Sequence, residues 1–312
     1  MLSWSQIQTR MEKMAVGETT APSALTTFLE AEYNIGYKIM LRELNRYTTE
    51  EETTVATVED QDEYEFPARY TRVKTMTITP DSVPYPILPI YDQLTWDALK
   101  TNTATSDQPN FYFAKETTFE LYPTPSEDDD TITIVYEATQ PDLANDDYTT
   151  GTITTLANGS AAVTGDSTVW TTAMQGRFFK IDNDGTWYEI ETRTSNTAIT
   201  LVKNYEGTAI AAGTESYTIG EMPALPEEHH ITPAYYALSQ YYRGQRRDHD
   251  SADRYISMFN GNNNPNHAHY HFGVQAAKRT YGKRGSSAVI HSKNRLTRNR
   301  FFVNPNSFPV LS

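Results

Sequence analysis

Cysteine is absent from the 312 residues of this chain, and long apolar runs are absent as well. Without cysteine the chain cannot form disulfide bridges, thiolate zinc sites or a cysteine nucleophile. No run comes near the roughly eighteen apolar residues that a membrane-spanning helix needs. The N-terminal stretch MLSWSQIQTRMEKM has no basic segment followed by an apolar one, so we expect no secretory signal there. Any association with a membrane is expected to depend on partners.

Catalytic signatures are missing too. The sequence contains no Gly-x-Ser-x-Gly, no phosphate-binding glycine loop and no His-Glu-x-x-His. The acidic stretches EDDD (127–130) and DNDG (182–185) lack the frame of a calcium loop that ends in a bidentate glutamate, and we predict turns at both. We predict no catalytic residue, no cofactor and no enzymatic activity.

One histidine cluster could hold a metal ion. The stretch HAHYH places His267, His269 and His271 on one face of an extended strand, an arrangement suited to zinc or nickel. Ligating histidines usually donate their second N–H to a carboxylate, and the chain beyond residue 253 has no carboxylate side chain. A polar strand without metal is therefore the favoured interpretation.

Acidic residues stop at Asp253, although the whole chain carries a formal charge of −14. Residues 1–253 hold all 40 acids and 17 bases, whereas residues 254–312 hold nine bases and no acid. Such asymmetry is typical of an interaction tail. A solvated, disordered tail is the alternative.

Apolar spacing predicts helices towards both ends of the sequence. Trp4, Ile7, Met11 and Met14 recur at intervals of three and four residues. A longer helix is predicted over 22–46, with a broad apolar face of Leu25, Phe28, Leu29, Ile35, Ile39, Met40 and Leu44. Another is predicted over 233–258, with Ala234, Leu238, Tyr255 and Ile256 among its inward residues. We expect these two long helices to pack together.

Between the helices the period changes to two, which indicates strands. Strands are expected from Thr53 to about residue 139, interrupted by a short helix at PIYDQLTWDALK with Leu94 and Leu99 inward. Residues 151–220 contain about six short strand patterns with hairpin signals at Asn158-Gly159 and Asp184-Gly185. They are predicted to form an inserted small barrel or sandwich.

Four stretches, taken in order, resemble the head-to-tail adaptor (connector) proteins of tailed bacteriophages, including the tail tubular protein A type of short-tailed phages. They are the N-terminal helical pair, the strand–turn–strand stretch PNFYFAKETTFELYPTPSEDDDTITIVYEATQPDL, the β insertion, and the proline-opened helix LPEEHHITPAYYALSQYY. Together they span about 260 residues of the chain.

The resemblance implies an α+β fold with a helical-bundle connector core and no catalysis. The core, with its β strands, is expected to comprise residues 1–150 and 221–261, with the all-β unit at 151–220 and an extended basic arm at 262–312. The resemblance further implies a structural virion protein that is made in the host bacterial cytoplasm. Such a protein would form a ring of usually twelve subunits. The ring would join the portal protein of the head to a tail or nozzle protein, and phage DNA would pass through its channel.

The arm is the predicted partner-binding segment. Because its bases are followed by an apolar end, we expect it to leave its own subunit and dock on neighbours, portal or tail. The expected partner-binding residues are Lys278, Arg279, Lys283, Arg284, Lys293, Arg295, Arg298, Arg300, Phe301, Phe302, Phe308 and Leu311.

Two other functions stay open at this point. A tail-fibre or carbohydrate-binding virion protein would use Trp170, Trp187 and Tyr188 as sugar platforms. A DNA-binding protein would act through the basic C-terminal tail, since nine bases can neutralise phosphates. Arg243, Arg246 and Arg247 of the last helix could form a positive band for an acidic neighbour or a phosphate backbone, but a solvated face with an Arg246–Asp250 ion pair is favoured.

Overall fold

The computed structural model describes residues 1–17, 21–101 and 107–282, apart from the side chain of Ala212. Its helices are α1 (Trp4–Val16), α2 (Ser23–Glu43), α3 (Gln93–Thr101), α4 (Thr232–Tyr241), α5 (His249–Asn260) and α6 (Gly273–Tyr281). Its strands are β1 (Thr48–Ala56), β2 (Glu63–Glu65), β3 (Tyr70–Thr79), β4 (Tyr85–Pro86), β5 (Leu88–Ile90), β6 (Phe111–Ala114), β7 (Thr118–Tyr122), β8 (Thr131–Thr139), β9 (Thr152–Leu156), β10 (Ala162–Asp166), β11 (Phe178–Ile181), β12 (Tyr188–Ser195), β13 (Ala198–Leu201), β14 (Ile210–Glu215) and β15 (Tyr217–Gly220). The expected α+β class is confirmed.

The chain packs as two compact units. Residues Arg46–Asp142 form one, here called the strand unit. Met1–Asn45 and the described chain from Leu143 to residue 282 form the other, here called the helix–barrel unit. These bounds differ from the expected ones, because the strands of the strand unit share an apolar core of their own instead of adding to a helical core. Independent folding of residues 151–220 stays a prediction.

The strand unit contains two sheets over one core. Their strand orders are β1-β8-β3-β4 and β2-β7-β6-β5; the pairs are antiparallel except for β5 with β6. Alternation explains the buried face: Ile132, Ile134, Tyr136 and Ala138 of β8 all point inward. Strands β4 and β5 lie at sheet edges.

Helix α1 begins at a capping box, in which the Ser3 side chain and Gln6 satisfy each other's backbone N–H groups. As the spacing predicted, Trp4, Ile7 and Met11 are buried. The Ser3 hydroxyl also donates to a carboxylate oxygen of Asp147 across 2.8 Å. A carboxylate at a helix N-terminus is electrostatically favourable, so this contact helps to hold α1 in the helix–barrel unit.

The expected packing of α2 against α4 is confirmed. Tyr33 of α2 donates its hydroxyl hydrogen to the His230 carbonyl oxygen, just before α4, at 2.7 Å. Leu25, Leu29 and Met40 are buried as predicted, but Ile35 is exposed. The buried positions follow the α-helical period, and Ile35 falls outside that stripe.

The long helix predicted over 233–258 is interrupted. After α4 a single π turn spans Tyr242–Arg246, and Arg247 then takes a left-handed conformation with φ of 55°. Asp248 caps α5 by accepting the Ser251 N–H. The apolar pattern continues across this break because α5 packs back on α4, which periodicity alone does not show.

Residues 151–220 form the expected β structure. The strand order is β14-β9-β10-β13-β12-β11-β15, and the first and last strands of that order are separated in sequence by Ser216. The chain therefore passes from one edge of the sheet to the other in one step, which curls the sheet into a partly closed barrel around its own apolar core. Gly159, with φ of 79°, makes the predicted Asn-Gly turn.

The extended arm expected over 262–312 is wrong at its beginning. Residues 273–281 form α6, whose Val274, Ala276 and Ala277 are buried in the helix–barrel unit. Three small apolar residues are a weak periodic signal, so the sequence alone indicated no helix there. Residues 283–312 lie outside the described part of the chain.

Candidate interaction surfaces

The two units differ sharply in charge. The strand unit contains 20 acids and six bases, a formal charge of −14 that equals the charge of the whole chain. The remaining residues contain 20 acids and 20 bases. The acidity of this protein is thus a property of the strand unit, and a net charge of that size attracts basic partners.

Five of the six bases of the strand unit pair with carboxylates of the same unit. Nitrogen–oxygen distances of 3.1 Å or less join Arg69 to Glu51, Arg72 to Glu137, Lys100 to Asp62 and Lys115 to Glu120, and Lys74 pairs with Glu50. These exposed pairs add little stability, commonly well under about 1 kcal/mol each. Even with these pairs, the acids of the strand unit outnumber its bases by 14.

Several carboxylates of the strand unit lie where the loop at residues 57–59 is hydrogen-bonded to the loop at residues 127–130. The Thr57 N–H donates to the Asp130 carbonyl oxygen at 2.8 Å, and the Glu59 N–H donates to Asp128 Oδ1 at 2.7 Å. This confirms that EDDD (127–130) is a bend. Within the residues that the structure describes, no group of three or more histidine, aspartate or glutamate side chains is arranged to hold a metal ion.

A cluster of large apolar side chains is exposed on the strand unit. Tyr91 is 90% exposed, Leu94 79% and Leu88 54%, and Val83 and Tyr85 are also exposed. These five residues within a twelve-residue stretch are here called the apolar surface. The prediction that Leu94 points inward is wrong, because Trp96 fills the inward position of α3 and donates its indole N–H to Glu120.

The apolar surface has an acidic and proline-rich setting. Residues 75–99 contain no lysine or arginine, and Asp81, Asp92 and Asp97 lie among them. Asp92 caps α3, and the hydrogen bonds that it accepts from Thr95 lower the pKa of its carboxyl group. The dense prolines and the lack of bases were the signals in the sequence that could have revealed this surface.

Two of the predicted partner-binding residues lie in α6, and both contact their own chain. Lys278 pairs with Glu43 at 2.6 Å. Arg279 stacks on the Tyr270 ring, 3.9 Å from its centroid, and donates to Asn263 at 2.8 Å. The other ten lie in 283–312, outside the described residues. Partner binding by any of the twelve stays a prediction.

Two arginines after α4 bind side chains close to them in sequence. Arg243 pairs with Asp253 at 2.9 Å, and Arg246 donates to the Tyr241 hydroxyl at 2.8 Å. The expected Arg246–Asp250 pair is wrong, because the helical break places these residues on different helices.

The histidines of HAHYH do not share the face of a strand. The backbone turns through this stretch, so the rings of His267 and His269 meet edge to face with centroids 5.2 Å apart. His269 instead lies 3.0 Å from the Ser257 hydroxyl. The extended geometry on which the metal hypothesis depended is absent from this described stretch.

An aromatic cleft of about 830 Å³ opens beside α6, lined by residues that include His229, Phe272 and Tyr281. His229 is buried, and burial lowers the pKa of its imidazole. Its Nε2 atom makes no hydrogen bond among the described residues, and the nearest carboxylate oxygen, on Glu228, is 3.4 Å away. The cleft adjoins the point where the described chain ends.

Two of the three aromatic residues considered as sugar platforms are buried in the barrel. Trp170 is buried and donates its indole N–H to the Tyr217 hydroxyl at 2.9 Å. Tyr188 is buried as well, and Lys180 covers Trp187 with its ammonium nitrogen 4.9 Å from the ring centroid. The proposed platform is therefore wrong, since a sugar needs an exposed aromatic face.

Comparison with known families decides the affiliation of the chain. The family model for SU10 adaptor protein matches residues 4–162, just over half of the sequence, from the start of α1 to the start of β10. The chain belongs to the SU10 adaptor protein family. A comparison with curated proteins gave no match.

Membership of the SU10 adaptor family makes the protein a phage structural adaptor and a component of the virion. Such a role implies interaction with phage portal and tail proteins, and it favours a non-enzymatic function. None of the described helices is long and apolar enough to cross a membrane.

Proposed function

We propose that this protein forms a ring, usually of twelve subunits, that joins the portal vertex of the phage head to the tail and surrounds the DNA channel. The family match over residues 4–162 carries the proposal. When one face of a subunit binds a different face of the next copy, and the contact repeats around an axis, the copies close into a ring. Many copies of this chain can in that way encircle a DNA duplex.

The packing of α2 against α4, and of α4 against α5, is the proposed connector core, and the tail tubular protein A type is the proposed subfamily. The strongly acidic strand unit supports a position near DNA or near basic partners, since like charge keeps a duplex from adhering to the channel wall. Residues 283–312 are the proposed docking arm.

The test combines the purified protein with the portal protein of the same phage. Light scattering should show that the portal gains roughly twelve times the 35.4 kDa subunit mass, and electron microscopy should show the added ring at one end of the portal. A portal from an unrelated phage is the control. A trimer that ignores the portal would indicate a fibre protein, and salt-sensitive retention of duplex DNA without portal binding would indicate a DNA-binding protein. Either result contradicts the adaptor ring.

A further inference from the structure

The apolar surface is too concentrated to be ordinary surface variation. Single exposed apolar residues are normal in proteins, whereas contiguous exposed patches mark interaction sites. Here Val83, Tyr85, Leu88, Tyr91 and Leu94 are all exposed on one short stretch. Exposed aromatic residues such as Tyr91 are preferred at the centres of interfaces.

The edge strands β4 and β5, which lie within this stretch of sequence, are poorly suited to strand addition. Pro86 lies in β4 and Pro89 in β5, and Pro84 precedes them. Proline has no N–H to offer to an added strand. A partner is therefore expected to bind through side chains that cover Leu88, Tyr91 and Leu94.

The charge around the surface restricts the partner. The strand unit carries −14, and five of its six bases are paired within it, so two copies of this unit repel each other. The rest of the chain up to residue 282 has 20 acids and 14 bases, which is also acidic. A contact of the apolar surface with the described part of a second copy is thus disfavoured, and the partner that covers this surface is expected to be basic.

Residues 283–312 combine the required basic and apolar character. They contain six bases and no acid, and they end in FFVNPNSFPVLS, with Phe301, Phe302 and Phe308. Thirty residues span up to about 100 Å when extended and about 30 Å as a flexible coil. A segment of this length can reach an adjacent subunit.

We propose that residues 283–312 of one copy bind the apolar surface of a neighbouring copy. Phe301, Phe302 and Phe308 cover Leu88, Tyr91 and Leu94, while the bases lie against the surrounding carboxylates. This proposal rests on the proposed function, because the neighbouring copy is the next subunit of the ring.

Photo-crosslinking in the full-length protein tests the contact. Phe302 is replaced by the photoreactive p-benzoyl-phenylalanine, and ¹⁴N-labelled and ¹⁵N-labelled copies are mixed before assembly on the portal. We expect crosslinks to residues 83–94 in peptide pairs that carry both labels. Crosslinks within one label only, to the aromatic cleft beside α6, or to the portal would overturn the proposal.

A matched pair of variants tests the energetic role of the surface. We measure the protein concentration at which half of the subunits are assembled on the portal. In the triple variant Leu88→Ser, Tyr91→Ser, Leu94→Ser this concentration should rise at least about tenfold. The control Val169→Ser, Val202→Ser changes two exposed apolar residues of the barrel and should leave it unchanged. Equal unfolding temperatures would show that both variants are folded.

The two proposals fail in different ways. If the wild-type protein never assembles on the portal, the proposed function is wrong, and this inference falls with it. If rings form but the triple variant assembles like the control, the apolar surface is not the docking site, while the ring itself stands.

Discussion

Gly36 in α2 lies directly against Tyr236 in α4: a Cβ atom on Gly36 would come within 2.8 Å of the Tyr236 Cβ atom. It would also lie 3.2 Å from the Pro233 carbonyl oxygen. The close approach of the two helices therefore depends on the absence of a side chain at residue 36. Real Cβ atoms do not tolerate such a distance, so any larger residue must push the helices apart.

Gly36→Leu should lower the free energy of unfolding by about 1–3 kcal/mol or more, because overpacking forces the backbone to shift. Urea unfolding followed by circular dichroism measures the change. Gly244→Leu is the control, since a Cβ atom at that exposed position meets nothing within 4 Å. Equal losses in the two variants would contradict the proposed steric role of Gly36.

Leu238→Asp should prevent soluble folding. Leu238 is fully buried in α4, and an aspartate there would bury an unpaired charge in addition to losing apolar packing. We expect a cost of at least about 3 kcal/mol. Leu94→Asp, at a highly exposed position, is the matched control and should remain soluble. The soluble fraction after expression gives the comparison, and a fully soluble Leu238→Asp protein would show that the packing is wrong.

Stability should fall on mild acidification because of His230. Its Nδ1 atom lies 3.3 Å from the Leu2 N–H nitrogen, its Nε2 atom lies 3.1 Å from the Leu225 carbonyl oxygen, and burial lowers the pKa of its imidazole. A lowered folded-state pKa means that protons bind the unfolded chain more tightly. The contribution of neutral His230 to the free energy of unfolding is thus intact above about pH 6.5. It is lost as the pH falls from there towards the lowered folded-state pKa of the imidazole.

Urea midpoints measured between pH 7.5 and pH 5 check this dependence. The slope should be smaller in His230→Gln than in the wild-type protein, since that variant cannot take up the proton. His267→Gln, which replaces an exposed histidine by the same residue, glutamine, is the matched control. An unchanged slope in His230→Gln would show that another group causes the loss.

Truncation should distinguish α6 from the segment that follows it. A chain that ends after Gly282 should unfold at the wild-type urea concentration. One that ends after Phe272 should lose about 2–3 kcal/mol, because it lacks the buried Val274, Ala276 and Ala277 of α6. Equal stability of the two truncated proteins would show that α6 contributes nothing to the helix–barrel unit.

Removal of the barrel should leave the helices folded. Tyr148 and Ile219 exchange backbone hydrogen bonds of 2.8 and 2.9 Å, so the two ends of the barrel segment already lie together. We expect a variant with residues 151–217 replaced by a short Gly/Ser linker to keep its helices. Its helical circular dichroism signal, divided by the number of helical residues, should equal that of the wild-type protein. Aggregation or loss of that signal would show that the helices need the barrel.

Features that depend on local periodicity and composition were predictable from the amino-acid sequence. The helical spacing of Trp4, Ile7 and Met11 identified the buried face of α1, and strict alternation identified β8. Turn chemistry located Asn158-Gly159, and the order of helices and strands supported the adaptor resemblance. The lack of acidic residues after Asp253 is read directly from the sequence.

Tertiary contacts determine which apolar residues are covered and which charges lie together. Periodicity places Leu94 on a helix, but only packing shows that Trp96 takes the inward position and leaves Leu94 in solvent. The break after α4 depends on how α5 folds back. Likewise, the excess of carboxylates became a property of the strand unit only when the chain divided into two cores. Such outcomes depend on contacts between residues distant in sequence, which local pattern and composition do not encode.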